Sequence, residues 1–219
     1  MEDVFPDRRQ AGRELAQRLM HHAGHDNTVV LALPRGGVPV GYEVAEALHL
    51  PLEVFVVRKL GVPGHEELAM GAIASGGVRV LNPQVVNQFR RPDEIIAEVA
   101  AREMRELERR EFLYRGRRPA VDVRGKTVIV VDDGLATGST MHAAVRALRQ
   151  AQVGRIIVAV PVAPPETCSE FTKEADELVC LHEPRDFMAV GQYYEDFSQT
   201  TDEEVSNLLA ASAQHLSHT

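Results

Sequence analysis

The sequence predicts an open, doubly wound α/β fold built on a mainly parallel sheet of about five strands. Three observations carry this prediction. Short apolar runs rich in Val and Ile recur along the chain, amphipathic helical patterns separate them, and one run ends in two adjacent aspartates before a Gly/Thr/Ser loop. Runs that are apolar throughout, instead of alternating with polar residues, are typical of parallel strands covered on both faces.

Asp7, with Gln10 three residues on, resembles a capping box, and Ala11, Leu15, Ala16 and Leu19 recur at helical spacing. The first element is therefore a helix reaching roughly Met20. After a polar stretch, Thr28 to Leu33 reads as a buried strand. Pro34-Arg35-Gly36-Gly37-Val38-Pro39 breaks it before a small-residue helix from Gly41 to Leu48. Leu52 to Val57 is the second strand and Thr127 to Val131 the third. The third ends at Asp132-Asp133 and leads through a Gly-rich loop into a helix with Met141, Ala144, Val145 and Leu148 on one face. Arg155 to Val160 and Leu178 to Leu181 supply the last two strands.

Between Lys59 and Gly125 this rhythm lapses. A Gly-containing loop or hairpin is expected first, then a helical insertion over roughly Asp93 to Phe112 with Ile96, Ala100, Met104 and Leu107 as its apolar stripe. Its alternating Glu and Arg read as a solvated face, the alternative being a subunit contact within a homo-oligomer. Beyond His182 the chain is aromatic (Phe187, Tyr193, Tyr194, Phe197) and then gives a polar, helix-like tail. No repeat, low-complexity tract or flexible linker divides the 219 residues, which read as one domain.

With 44% hydrophobic and 26% charged residues, a disordered chain is not expected. The longest apolar runs fall far short of the ~20 residues a membrane span needs, and the N-terminus lacks the pattern of an export signal. A cytoplasmic protein without a membrane partner is expected. Cys168 and Cys180 read as thiols instead of a bridge. The net charge of −8 repels nucleic acid, and Arg115, Arg117 and Arg118 do not form a basic stripe, so a polyanionic ligand must be met locally. The nine histidines form no HExxH or Cys/His pattern, so the sequence points to no zinc site.

The segment from Val128 to Met141 carries the chemistry. A buried strand delivers Asp132 and Asp133 into the loop Gly134-Leu135-Ala136-Thr137-Gly138-Ser139-Thr140, after which a helix begins. Amides at a helix start lack intrahelical partners and sit at the positive end of its dipole, and Thr137, Ser139 and Thr140 add hydroxyls. That combination suits a phosphate monoester. A Walker A loop would require Gly-Lys-Ser/Thr, but Gly138 precedes Ser139; neither Gly36-Gly37 nor Gly134-Gly138 fits a dinucleotide fingerprint.

This segment resembles the phosphoribosyl-pyrophosphate (PRPP) signature of type I phosphoribosyltransferases, and the resemblance in sheet pattern covers roughly Thr28 to Leu181. It implies that Asp132 and Asp133 contact the ribose hydroxyls and that the loop from Gly134, chiefly Ala136, Thr137, Gly138, Ser139 and Thr140, wraps the 5-phosphate. It implies a pyrophosphate loop at Arg35, Gly36 and Gly37, which family members often build around a cis peptide. Arg58 and Lys59, expected at the end of the second strand, would neutralise the leaving group. Asp132, Asp133, Arg35 and Lys59 are the candidate catalytic residues. Mg2+ would be bound mainly through PRPP, reaching Asp132 or Asp133 through water.

The resemblance also implies a mobile lid, here Gly61 to Gly77, and a small hood for the acceptor base. The hood candidates are residues 183–219, with Phe187, Tyr193 and Tyr194 as stacking rings. The implied function is transfer of the 5-phosphoribosyl group from PRPP to a nitrogenous base with release of pyrophosphate. A non-catalytic PRPP-sensing or regulatory protein on the same fold is the alternative.

Overall fold

In the computed structural model, which describes residues 4–216, five parallel strands form the central sheet: β1 (Thr28–Ala32), β2 (Leu52–Val54), β6 (Thr127–Val131), β7 (Arg155–Val162) and β8 (Glu177–His182), in the order β2-β1-β6-β7-β8. Alternate residues of each strand face opposite sides. Val30, Ala32, Ile129, Val131, Ile157 and Ala159 pack beneath α1 (Arg8–Leu19), α2 (Gly37–Leu48) and α7 (Asp202–Leu216). Val29, Leu31, Val128, Val130, Ile156 and Val158 pack beneath α5 (Ser139–Gln150) and α6 (Pro165–Glu174). The double cover explains why these strands are apolar on both faces, and the predicted doubly wound α/β fold is present.

Helix α1 begins where expected. The Asp7 carboxylate accepts from the Gln10 amide at 2.7 Å, and Ala11, Leu15, Ala16 and Leu19 are buried. The reciprocal half of the expected capping box is not formed, since the Gln10 side-chain amide donates to Glu14. Helix α2 starts at Gly37, four residues earlier than expected, because Pro39 falls within its first turn, where proline is tolerated.

The expected second strand is two elements. β2 stops at Val54, and after Phe55 and Val56 the chain enters β3 (Val57–Val62), which pairs antiparallel with β4 (His65–Ala74). β4 pairs in turn with β5 (Val78–Leu81). Arg58 and Lys59 therefore lie in a separate three-stranded sheet, not at the end of a central strand. Most of the proposed lid segment is consequently paired strand, with Gly64 (φ 80°) at the exposed hairpin tip.

After the short α3 (Pro83–Val86), α4 (Pro92–Arg115) extends for 24 residues. It is not simply a solvated helix: Ile96, Val99, Ala100, Leu107 and Tyr114 are buried in the cluster shared with α7 and β3. The tail expected to form a hood also packs into the core in part, and its last three positions, 217–219, lie outside the described residues. Val205, Leu208 and Leu209 of α7 complete the core over α2.

Candidate active site

The strand order reverses between β1 and β6: the chain proceeds from β1 to one side of the sheet and from β6 to the other. Open α/β sheets form a crevice beyond the carboxyl ends of the strands at such a switch point. Here the loop after β1 carries Arg35-Gly36-Gly37 and the loop after β6 carries Asp132 and Asp133, so two segments about a hundred residues apart become neighbours.

The contact between them is tight. The Leu33 amide donates to the Val131 carbonyl at 2.9 Å, and Pro34–Arg35 is a cis peptide. A Cβ on Gly37 would meet the Val131 carbonyl oxygen at 2.7 Å, and one on Gly36 would collide with Asp133 Oδ2. The glycines let the first loop lie against the acidic pair. Arg35 is half-buried, with its Nη1 3.9 Å from Asp202 Oδ1 at the start of α7.

Asp132 Oδ1 accepts from the Asp133 amide at 2.9 Å. Burial pushes both carboxyls upward from the usual carboxylate range. The charge of Asp133 adds to the rise at Asp132, whereas the Arg8 guanidinium opposes the rise at Asp133. Arg8 donates from Nε to Asp133 Oδ2 at 2.8 Å and from Nη1 to the Ser198 carbonyl at 2.7 Å, and lies 4.0 Å from the centre of the Phe197 ring. It is the principal residue that sequence reasoning missed. Its neighbours in the sequence mark only the start of a helix, and the pair spans 125 positions.

Gly138 (φ 66°) caps α5, and a Cβ there would meet Phe171 Cε2 at 2.8 Å. The left-handed conformation and the ring beneath it both favour glycine. Thr167 Oγ1 donates to the Ala136 carbonyl at 2.9 Å, fixing the loop to α6. Asp132, Gly134, Ala136, Thr137, Gly138, Ser139 and Thr140 all line one small hollow at the α5 start. The predicted phosphate-loop residues are thus brought together.

The cations of the antiparallel sheet divide. Arg58 points toward α4, where Nη2 lies 2.8 Å from Glu103 Oε2. Lys59, exposed, lines a groove with Ser139, His142 and Arg146 of α5. Strand alternation sends consecutive side chains to opposite faces, so Arg58 and Lys59 do not act as one pair.

The aromatic segment after β8 joins the N-terminus. Phe5 donates its amide to the Tyr193 carbonyl and accepts from the Glu195 amide. Tyr194 is buried, its hydroxyl donating to the Asp133 carbonyl at 2.6 Å, and burial together with Asp133 pushes its ionisation upward. Tyr193 is also buried, leaving half-buried Phe187 stacked on it at 5.7 Å. Two of the three candidate stacking rings are therefore packing residues whose faces are already covered.

These elements build a doubly wound α/β protein with an acidic pair and a Gly/Thr/Ser loop at a helix start beside its switch point. The sequence matches the family described as "Phosphoribosyl transferase domain" over residues 5–198, and the chain belongs to that family. Two proteins of Mycobacterium tuberculosis, strains CDC 1551 and H37Rv, both carrying the name "Putative phosphoribosyl transferase", are 47% identical over 202 residues, 92% of this chain. The chain spans 45% of the length of these relatives. The crystal structure of TT1426 from Thermus thermophilus is 44% identical, with a TM-score of 0.84 covering 95% of this chain and 98% of that one.

Proposed function

We propose that this chain transfers the 5-phosphoribosyl group of PRPP to a nitrogenous base and releases pyrophosphate. The observation that carries the reading is the packing of the Gly36-Gly37 loop against Asp132 and Asp133 at the switch point, beside the α5 phosphate loop. One sheet edge then offers separate places for ribose, for a 5-phosphate and for a second anionic group.

In this reading Ala136 through Thr140 hold the 5-phosphate with backbone amides and hydroxyls, and Asp132 and Asp133 receive the ribose hydroxyls. Arg35 faces the pyrophosphate half; Lys59 approaches across the groove that includes Ser139. Binding both anionic ends fixes the anomeric carbon between them, so an incoming nitrogen needs only to be aligned. Positive charge near the leaving group stabilises the charge that develops as the bond breaks.

The acidic pair fits Mg2+. Its carboxylate oxygens are hard donors, and two such groups raised by burial and mutual charge gain from a nearby cation. Asp132 and Asp133 would hold the ion, mainly through water, and the ion supplies charge neutralisation to the pyrophosphate. A cytoplasmic setting accords with this chemistry; among the described residues no helix is long and apolar enough to cross a membrane.

The test is pyrophosphate release from PRPP and Mg2+ with a panel of nucleobases, run beside PRPP titration. Turnover with at least one base is expected. PRPP binding without turnover on any base would overturn transfer in favour of a sensor, and absence of PRPP binding would overturn both.

A further inference from the structure

At the opposite rim of the sheet, far from the acidic pair along the strands, two adjacent histidines converge on one carboxylate. His21 and His22 occupy the 3-10 turn that follows α1, and Glu177 opens the edge strand β8. His21 Nε2 lies 3.0 Å from Glu177 Oε1, and His22 Nε2 lies between the two carboxylate oxygens, 3.2 Å from Oε2 and 3.4 Å from Oε1. The two rings are 4.0 Å apart, and the three ligand atoms all fall within 4.8 Å of one another.

We propose that His21, His22 and Glu177 form a site for a borderline divalent transition metal of the zinc class. A tetrahedral ion with nitrogen and oxygen ligands at ordinary bond lengths separates neighbouring ligand atoms by about 3.3 Å. The two N···O separations to Oε1 straddle that value. Imidazole nitrogen with a single carboxylate suits zinc far better than magnesium or calcium.

Arg155 Nη2 lies 2.9 Å from Glu177 Oε2, the oxygen that His22 also approaches and that a metal bound through Oε1 would leave to Arg155. That is the position of an outer partner that orients a ligating carboxylate. The Arg155 side chain is half exposed, so its charge is solvated. His22 is buried and thereby fixed in place, whereas His21 is open to solvent and gives the ion a route in. The fourth position is left to water or to exposed His25, whose ring lies 6.5 Å from that of His22.

The sequence pointed to no zinc site because its ligands are a neighbouring pair and a glutamate 155 positions away. Binding would clamp the end of α1 to the edge strand. Since the start of the same helix carries Arg8, the clamp would steady the helix that holds Asp133.

Calorimetric titration of metal-free protein with zinc, paired with thermal melts, tests the site. A second cluster, Cys168, Cys180 and Glu183, also brings ligand atoms within 4.8 Å and must be separated from it. Expected are tight zinc binding, a raised melting midpoint, and affinity weakened more than about tenfold in His21→Ala and in Glu177→Gln. A Cys168→Ser/Cys180→Ser double variant should bind normally, and cobalt-loaded protein should lack a thiolate charge-transfer band. His21 is exposed, so its loss should leave the metal-free fold intact. No zinc binding, unchanged affinity in both His21→Ala and Glu177→Gln, or loss only in the cysteine variant would overturn the proposal.

Discussion

Arg8, on the first turn of α1, holds Asp133 from across the chain at 2.8 Å, with only 12% and 15% of the two side chains exposed. A charge-assisted hydrogen bond at this depth restrains the carboxylate that the proposed reaction needs. Arg8→Gln should therefore weaken PRPP binding and lower stability by about 1–3 kcal/mol. PRPP titration and denaturant unfolding measure the two effects. Unchanged PRPP affinity would remove Arg8 from the positioning of Asp133.

Gly36 and Gly37 should respond differently to the same added methyl. At Gly36 it meets the Asp133 carboxylate, the far end of a side chain that can shift together with the long Arg8 side chain and keep its bond to it. At Gly37 it meets the Val131 carbonyl, which cannot move without disturbing β6. Gly36→Ala is thus expected to lose PRPP affinity with a stability change below about 1 kcal/mol, whereas Gly37→Ala should destabilise the fold by about 1–3 kcal/mol. Melts and titrations of both variants check this; equal destabilisation would contradict it.

The raised carboxyl of Asp132 sets a sign for pH dependence. Its folded protonation constant lies above the ordinary value of 3.8, so between the two values the folded chain holds more proton than the unfolded one. The contribution of Asp132 to stability is therefore fully present below that range and falls as pH rises through it. Asp132→Asn should stabilise the ligand-free protein by about 0.5–2 kcal/mol at neutral pH and weaken binding of PRPP with Mg2+. The wild-type minus variant difference in unfolding free energy, followed from about pH 4 upward on the scale of ordinary carboxyls, isolates the group. A difference independent of pH would exclude the assignment.

Tyr194 and Phe187 should separate packing from recognition. Tyr194→Phe removes the buried hydroxyl that donates to the part-buried Asp133 carbonyl and should cost about 1–3 kcal/mol, with PRPP affinity falling as well. Phe187, only half-buried, is the ring still available to a base. Phe187→Ala is expected to reduce transfer while sparing PRPP affinity. Steady-state turnover with the best base, beside titration, checks this; normal turnover would move the acceptor site elsewhere.

Arg35→Ala and Lys59→Ala should weaken PRPP more than ribose 5-phosphate if both serve the second anionic group. Arg58→Ala should instead act on stability, since its partner Glu103 is buried. Comparative titration with the two ligands distinguishes these outcomes, and equal losses for both ligands would refute the division.

The central sheet and the loop proposed to hold phosphate were legible in the residue order, because both depend on short stretches of chain. Continuous apolar runs define strands covered on two faces, and Asp132-Asp133 with the loop through Thr140 is contiguous. The resemblance carried by that loop also led to the family. What joins distant positions became visible in three dimensions alone. Arg8 reaches Asp133, Val205, Leu208 and Leu209 of α7 join the core, and Phe5 closes on Tyr194. Folding also divided Arg58 from Lys59, since the chain leaves the central sheet after Val54 and starts a new strand at Val57, where the apolar run read as one strand ends. Periodicity reports which face a residue occupies within its own element; which element covers that face is fixed by packing among all of them.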